Sequence, residues 1–450
     1  MKLAVIARPV YGARNAFGPL LTSIEEELGD KVETLVVEGN PLREASSYKL
    51  RGYTPVILYG VSSPSYLELR SEIREAAGRY IVVAGGPHAE GAYWHLLRDG
   101  VWAAVVGDGE AALTSLLQAL VRREGPSEAV NVAYRDEDGG FRVSRQVLVR
   151  LDDYPPYNVR HQLYPPIEIM RGCIYRCRFC QVPWLFKASV RYRGLESTLE
   201  ASQRYIEAGY RRIRFVAPIG FAYMSRGPGD VNLDAIEGLL KGVRRLGGVP
   251  FLGSFPSEVR PEYVTREVLD LVRRYAGNRR VSLGLQSGSD KLLERVGRGH
   301  TVEDTLEAVK LVLDHGLVPV VDLMFSLPGE DEEDVEETVR VMFELAGMGA
   351  RLRLHTFIPL PGTPLARSKP SPVNERYKKA ALKLLGKGVL EGYWREQEQL
   401  APRVYCLTAL DPAPTPEPRP LPGSLEYCSR HGLSLPGNTV HIQEPSNSFK

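Results

Sequence analysis

The residues best placed to do chemistry lie in one short run, I-E-I-M-R-G-C-I-Y-R-C-R-F-C, beginning at Ile167. Cys173, Cys177 and Cys180 follow a predicted strand with Cys-x3-Cys-x2-Cys spacing. Three thiolates this close can ligate three irons of a [4Fe–4S] cluster, which usually takes four Cys. The fourth iron would keep an open coordination position, as a catalytic metal requires and a structural one does not. The competing reading is a zinc site or three buried thiols. Zinc sites favour paired C-x2-4-C and C/H ligands, and here the fourth would have to come from afar.

The elements that must position this loop show as alternating strand and helix patterns. After the strand Ile167–Met170, β-rich runs recur at Ile213–Val216, Pro250–Ser254, Val281–Gln286, Val318–Phe325 and Arg351–Phe357, with amphipathic helical segments between them. That pattern predicts a partial (β/α)6 barrel over residues 166–366 rather than a full eight-unit one. Residues 1–125 show a second alternating series: Lys2–Arg8, Val32–Val37, Val56–Tyr59, Tyr80–Ala84 and Ala103–Val106 as strands, with helices between. Short connections of this kind mean a parallel sheet covered on both faces, a Rossmann-like domain. Residues 126–165 hold a predicted hairpin around DEDGG and a Pro- and Tyr-rich linker. Residues 367–450 form a C-terminal extension: a charged helical stretch at 373–400, the Pro-rich run DPAPTPEPRPLPG at 411–423, and a polar tail.

Composition narrows the function classes. The chain has 450 residues, 43% hydrophobic and 25% charged, with a formal net charge of +2. This excludes a mostly disordered chain and a disulfide-dense secreted scaffold. No apolar run approaches the ~20 residues of a membrane span, and the N-terminus lacks a signal-peptide core, so a cytoplasmic protein is expected. The near-neutral charge and the absence of an aromatic–basic module give no sign of nucleic-acid binding. Arg far outnumbers Lys, as either a thermophile or a GC-rich genome would produce. Of five Cys, the remaining two, Cys406 and Cys428, could form a disulfide, lie near the active site or be unrelated buried thiols. Arg171, Arg176, Arg178, Arg191, Arg193, Arg211 and Arg212 could meet an anionic substrate or cofactor phosphate, or simply be solvated surface.

The Cys spacing, the aromatic Phe179 before the last Cys, and the loop's place after the first barrel strand resemble the radical S-adenosylmethionine (SAM) superfamily. The later segments GSFPSEVR at 253–260, GLQSGSD at 284–290, VDLMFSLPGE at 321–330 and TFIPLPGTP at 356–364 resemble its successive barrel motifs. The resemblance implies that Cys173, Cys177 and Cys180 hold a [4Fe–4S] cluster whose open iron chelates SAM. An electron would cleave SAM to a 5′-deoxyadenosyl radical, supplied by a ferredoxin- or flavodoxin-type donor. It also implies SAM contacts at Phe179, Ala217, Pro218, Ser254, Glu258, Arg260, Gln286 and Ile358. One departure is plain: where many members carry G-G-E after the second strand, this chain reads Phe215-Val216-Ala217-Pro218.

A Rossmann-like domain ahead of such a barrel resembles the cobalamin (B12)-binding subclass. VVAGGPHAEGAYWHLL from Val82 and VVGDGEAAL from Val105 are similar to its G-G-x-H and G-[ED]-G-E segments. The resemblance implies cobalamin contacts at Ser62, Ser63, Gly85, Gly86, Pro87, His88, Gly107, Gly109 and Glu110. The D-x-H-x-x-G motif is missing, so binding without a lower His ligand is expected; His88 reads more readily as a loop hydrogen-bonder, and His95 as structural. Methylthiotransferases also precede a radical SAM barrel with a domain, but they need three further Cys there, and residues 1–172 contain none. The expected activity is methylation of an unactivated carbon. The alternatives are ring formation, C–C coupling or rearrangement by the same architecture, for example on a lipid, or a non-catalytic Fe–S/corrinoid-binding protein.

Overall fold

A computed structural model describes residues 1–10, 14–187, 189–413 and 420–433. The strand Leu3–Arg8 (β1) is buried along nearly its whole length, as a strand covered on both faces must be. It pairs in parallel with β2 (Val32–Val36) and β3 (Thr54–Gly60), followed by β4 (Ile81–Gly85) and β5 (Ala103–Val105). The sheet order is β2-β1-β3-β4-β5. Helices α1 (Arg14–Leu28), α2 (Leu42–Leu50), α3 (Ser63–Ala77), α4 (Pro87–Arg98) and α5 (Gly109–Arg122) cover it. The sequence reading had no helix at 42–50; with only Ala45 fully buried, its apolar stripe is too thin to show as periodicity. The expected hairpin forms as β6 (Val132–Arg135) and β7 (Phe141–Val143), and it extends the N-terminal sheet antiparallel from β5 instead of standing apart.

In the second unit, β8 (Ile167–Glu168) leads into β9 (Met170–Arg171), which pairs antiparallel with β10 (Arg191–Tyr192). The Cys loop and the short helix α6 (Val182–Leu185) lie between these two strands. Parallel strands follow: β11 (Arg212–Val216), β12 (Val249–Phe251), β13 (Arg280–Gln286), β14 (Val318–Phe325) and β15 (Arg351–Thr356). They fall into two sheets, β8-β11-β12 and β13 onward, joined by the parallel bridge Val259–Leu283. Helices α7 (Leu195–Glu207), α8 (Leu233–Arg245), α9 (Arg266–Tyr275), α10 (Asp290–Arg295), α11 (Val302–Asp314) and α12 (Glu332–Met348) alternate with them. Local sequence sets their starts: Thr301 with Asp304, and Asp331 with Asp334, form reciprocal capping boxes. Ile213 and Phe215 are buried beneath the helices, whereas Arg212 and Arg214 on the other face of β11 are exposed to the barrel lumen.

The partial barrel has one strand more than expected. After α13 (Glu375–Gly386), β16 (Leu390–Gly392) adds in parallel to β15, inside the stretch read as helical at 373–400. It is three residues long, too short to announce itself by alternation. Helix α14 (Trp394–Leu410) then runs from the barrel back to helices α3 and α4 of the N-terminal domain. At one end Trp394 accepts from Thr356; at the other, the Trp94 indole donates to the Asp411 carbonyl at 3.0 Å. Cys406 and Cys428 form a disulfide that ties α14 to α15 (Ser424–Arg430). Part of the Pro-rich run (414–419) and the polar tail from 434 lie outside the described residues. Among the described residues, no helix is long and apolar enough to cross a membrane.

Candidate active site

The Cys loop leaves the carboxyl end of β9 and turns sharply at Gly172, where φ is +85°. A Cβ there would sit 1.8 Å from the Ser189 carbonyl oxygen, so only glycine lets the loop close on itself. Cys173, Cys177 and Cys180 are all free thiols, and the first two are buried. Burial pushes the Cys173 thiol up, and that of Cys180 up to about 12. Such thiols stay protonated until a metal or a cation stabilises the thiolate.

Cations are present. Arg298 Nη1 lies 3.3 Å from Cys177 Sγ, and Arg260 Nη1 lies 3.7 Å from the same sulfur. Both arginines are buried. Each is pinned by its other nitrogens: Arg298 donates to the Gly284 carbonyl, Arg260 to the Arg298 carbonyl and, at 2.6 Å, to Glu262. The Arg260 guanidinium also stacks 3.5 Å from the centre of the Tyr175 ring. Fixed guanidinium donors stabilise sulfur carrying negative charge, as cluster-bound thiolates do. The donor set therefore fits a three-thiolate [4Fe–4S] site.

The barrel motifs surround this loop unequally. Gln286 ends β13 at a bulge with φ +84°, and Ser326 follows β14 with φ +58°. Non-glycine residues in this region cost about 1–3 kcal/mol each and collect at functional sites. A Cβ on Gly284 would meet Arg298 Nη2 at 2.7 Å and Gln286 Nε2 at 3.0 Å, so the missing side chain makes room for both. Phe179 packs with Leu292, Val296 and Phe357, tying the Cys loop to the strand ends just before Ile358. Ala217 and Pro218 follow β11 and run into Gly220, whose N–H donates to the Glu258 carbonyl at 2.7 Å.

Two expected SAM residues are placed elsewhere. Gly253, with φ +75°, turns the chain so that Ser254 lines a cavity in the lower lumen with Arg214 and Arg353. Glu258 faces the same lumen, where its carboxylate meets Arg353 Nη1 at 3.1 Å. Partial burial, then repulsion from Asp322, raises the Glu258 carboxyl above the usual carboxylate range. Arg353 also bonds Asp322, which lies 3.4 Å from His355 Nε2. Arg353, Asp322 and His355 of this network, and Arg298 beside Cys177, were missed in the sequence. Arg298 left one trace, a cation between Gly297 and Gly299, both of which take positive φ.

In the N-terminal domain the expected ligand residues are engaged within the protein. His88 is fully buried, with Nδ1 3.0 Å from Ser63 Oγ and Nε2 3.4 Å from His95 Nδ1, and it stacks on Tyr66. It is a core hydrogen-bonder. Ser62 caps α3 together with Ser65. Gly86 approaches the Val61 carbonyl, where a Cβ would be 2.8 Å away, and Gly85 abuts Val105. Pro87 starts α4 and its carbonyl accepts from Gln181 of the Cys-loop segment at 3.3 Å.

The segment Gly107-Asp108-Gly109-Glu110 joins the two units. Arg171, beside the Cys loop, binds Asp108 and Glu110 at 2.8 Å each and Glu168 at 2.6 Å. Arg191 binds Asp108 as well. The Asp108 side chain is fully buried and that of Glu110 nearly so, and the guanidinium groups hold both carboxyls below their usual range against the opposing effect of burial. Of the arginines that could have met an anion, these two are therefore spent on domain docking, and Arg193 bonds backbone carbonyls.

Residues 167–342 match the family model of the radical SAM superfamily; the match leaves the N-terminal domain outside. A protein of Methanocaldococcus jannaschii named as a methylthiotransferase is 30% identical over 241 residues, 52% of this chain and 51% of the relative. The chain thus spans about half the length of that curated relative. Among solved structures, the radical SAM methyltransferase TsrM of Kitasatospora setae, with cobalamin and a [4Fe–4S] cluster bound, superposes with a TM-score of 0.62 at 20% identity, covering 83% of this chain and 76% of that one. The cobalamin-dependent SAM radical enzyme OxsB gives 0.59 at 17% identity, covering 76% and 52%. At these identities the likeness is one of fold, and it extends through the N-terminal domain and the barrel together. The chain is an enzyme with a radical SAM domain at residues 167–342.

Proposed function

We propose that this enzyme is a cobalamin-dependent radical SAM methyltransferase acting on an unactivated carbon. The observation that carries the radical SAM half is the loop of three free thiols with Arg298 and Arg260 directed onto Cys177. Cys173, Cys177 and Cys180 would hold the cluster. Phe179, Ala217, Pro218, Arg260, Gln286 and Ile358 stand at the carboxyl ends of the strands, where SAM would lie. When bound, the cluster supplies the electron that cleaves SAM, and cobalamin supplies the methyl group.

The chain's own contribution is placement and exclusion of water. Arg260 and Arg298 fix the Cys177 side of the loop, and Arg171 and Arg191 lock the barrel mouth against the N-terminal sheet. Converging reactive atoms in a docked, water-poor space is the main source of rate in such a design. Support for cobalamin rests on the two-unit architecture and its likeness to TsrM and OxsB. The glycines and His88 do not add to it, because they pack against the chain itself.

The name of the curated relative favours a second reading, methylthio transfer. By the resemblance drawn above, that chemistry needs three further Cys ahead of the barrel, and residues 1–172 hold none. Methyl transfer is therefore preferred.

The test is anaerobic reconstitution with iron, sulfide and hydroxocobalamin, followed by SAM and a strong reductant. Formation of both 5′-deoxyadenosine and S-adenosylhomocysteine supports a methyltransferase. Deoxyadenosine alone rejects methyl transfer and leaves other radical chemistry. Cys173→Ala, Cys177→Ala and Cys180→Ala should each abolish SAM cleavage, whereas Cys406→Ala should leave cluster iron unchanged.

A further inference from the structure

The barrel has a second mouth, at the amino ends of its strands, on the side away from the Cys loop. A cavity of about 830 Å³ opens there. That volume is typical of small-molecule sites, about 300–1,000 Å³. Its wall is cationic: Arg212, Arg214, Arg279 and Arg353 all line it. Arg353 is neutralised by Asp322, Glu258 and Glu391. Arg212, Arg214 and Arg279 have no carboxylate within ion-pairing distance among the described residues, whereas most arginines around the Cys loop are committed to partners.

The free cations are held in place. The Arg212 and Arg214 guanidinium groups lie 5.1 and 5.2 Å from the centre of the Phe251 ring. Arg214 Nη1 also donates to the Phe255 carbonyl at 3.1 Å. Phe255 itself is 64% exposed, an unusual state for a phenyl ring, and it borders the same cavity. Arginines stacked on an aromatic ring lose little further freedom when they bind, and their fork geometry suits oxyanions.

From this we infer that the lower lumen is a binding site for a small organic oxyanion, of the phosphate or carboxylate class, held by Arg212, Arg214 and Arg279 beside the exposed Phe255 ring. The inference is independent of the radical reaction, since none of the three cluster cysteines lines the cavity. It also connects to the upper site. Glu258 and Arg260 lie two residues apart on the segment that bridges to β13; one is bonded to Arg353 at the cavity and the other directed at Cys177. An anion that drew Arg353 from Glu258 would be felt by that segment.

The experiment is isothermal calorimetry on the reconstituted full chain, with inorganic pyrophosphate and citrate as separate probes. At least one should bind with a Kd below about 1 mM, and the double variant R212Q/R214Q should weaken it at least about tenfold. The tighter of the two probes tells phosphate from carboxylate. The control R204Q/R245Q removes two cations from helices α7 and α8 and should leave affinity unchanged. Circular dichroism of each variant guards against misfolding. Absence of binding by both probes, or equal weakening in the control, overturns the proposal. Neither result touches the methyltransferase reading, whose products are measured separately.

Discussion

Arg298 places its Nη1 3.3 Å from Cys177 Sγ across 121 residues of sequence. The cation comes from the loop after α10 and the sulfur from the loop after β9. The barrel alone brings them together, and Arg260 Nη1 approaches the same sulfur at 3.7 Å from a third segment.

This pair predicts an electrochemical effect. A buried cation beside a cluster ligand favours the more negative, reduced state. Arg298→Gln should therefore lower the midpoint potential of the reconstituted cluster while keeping its iron content. A redox titration followed by electron paramagnetic resonance reads both quantities, and an unchanged midpoint would remove this role from Arg298.

Arg171→Met tests the junction between the units. It would leave Asp108 and Glu110 buried with fewer partners; breaking a buried ion pair from one side costs about 3–5 kcal/mol. Arg191 still faces Asp108, so the lower end of that range is expected. The readout is a lower thermal midpoint together with faster proteolysis in the linker between β7 and β8. Intact thermal stability would show the clamp to be energetically idle.

Gly91 makes a prediction whose sign depends on tertiary structure. Replacing a helical glycine by alanine ordinarily gains about 0.5–1 kcal/mol. Here the added Cβ would lie 2.4 Å from the Pro361 carbonyl oxygen, a backbone atom of the barrel. Gly91→Ala should destabilise the docked chain. A rise in the thermal midpoint would mean that the 361–362 loop gives way freely.

His95 sets an acid limit. Burial, followed by the nearby Arg70, lowers its ring to about 3 from an ordinary 6.5. The unfolded chain then binds more protons than the native one between these values, so stability is complete above pH 6.5 and declines as pH falls toward 3. Its Nε2 lies 2.9 Å from the Asp411 carbonyl, so the loss should be seen where α14 meets the N-terminal domain. His95→Gln keeps a donor and should flatten the slope of thermal midpoint against pH between 7 and 5. A slope identical to that of the parent chain would argue against His95 as the titrating group.

Much of this architecture was legible in the residues. The Cys-x3-Cys-x2-Cys run, the apolar strands and their helical intervals determined a Rossmann-like unit, a partial barrel and a thiol loop at a strand's carboxyl end. Those features are local: spacing along the chain fixes which side chains share a face or a loop. The helix at 42–50 and the strand at 390–392 escaped because one is too polar and the other too short to carry a period.

Only the tertiary structure decided the rest. It turned Glu110 from an expected ligand contact into a partner of Arg171, and His88 into a buried link between Ser63 and His95. It moved Ser254 and Glu258 from the SAM side to the lower lumen, and it brought Arg298 to Cys177. It left Arg212 and Arg214 facing an open cavity. Each of these outcomes depends on contacts between segments far apart in the chain. Charge and burial are settled by which segments meet, and a linear pattern holds no record of that meeting.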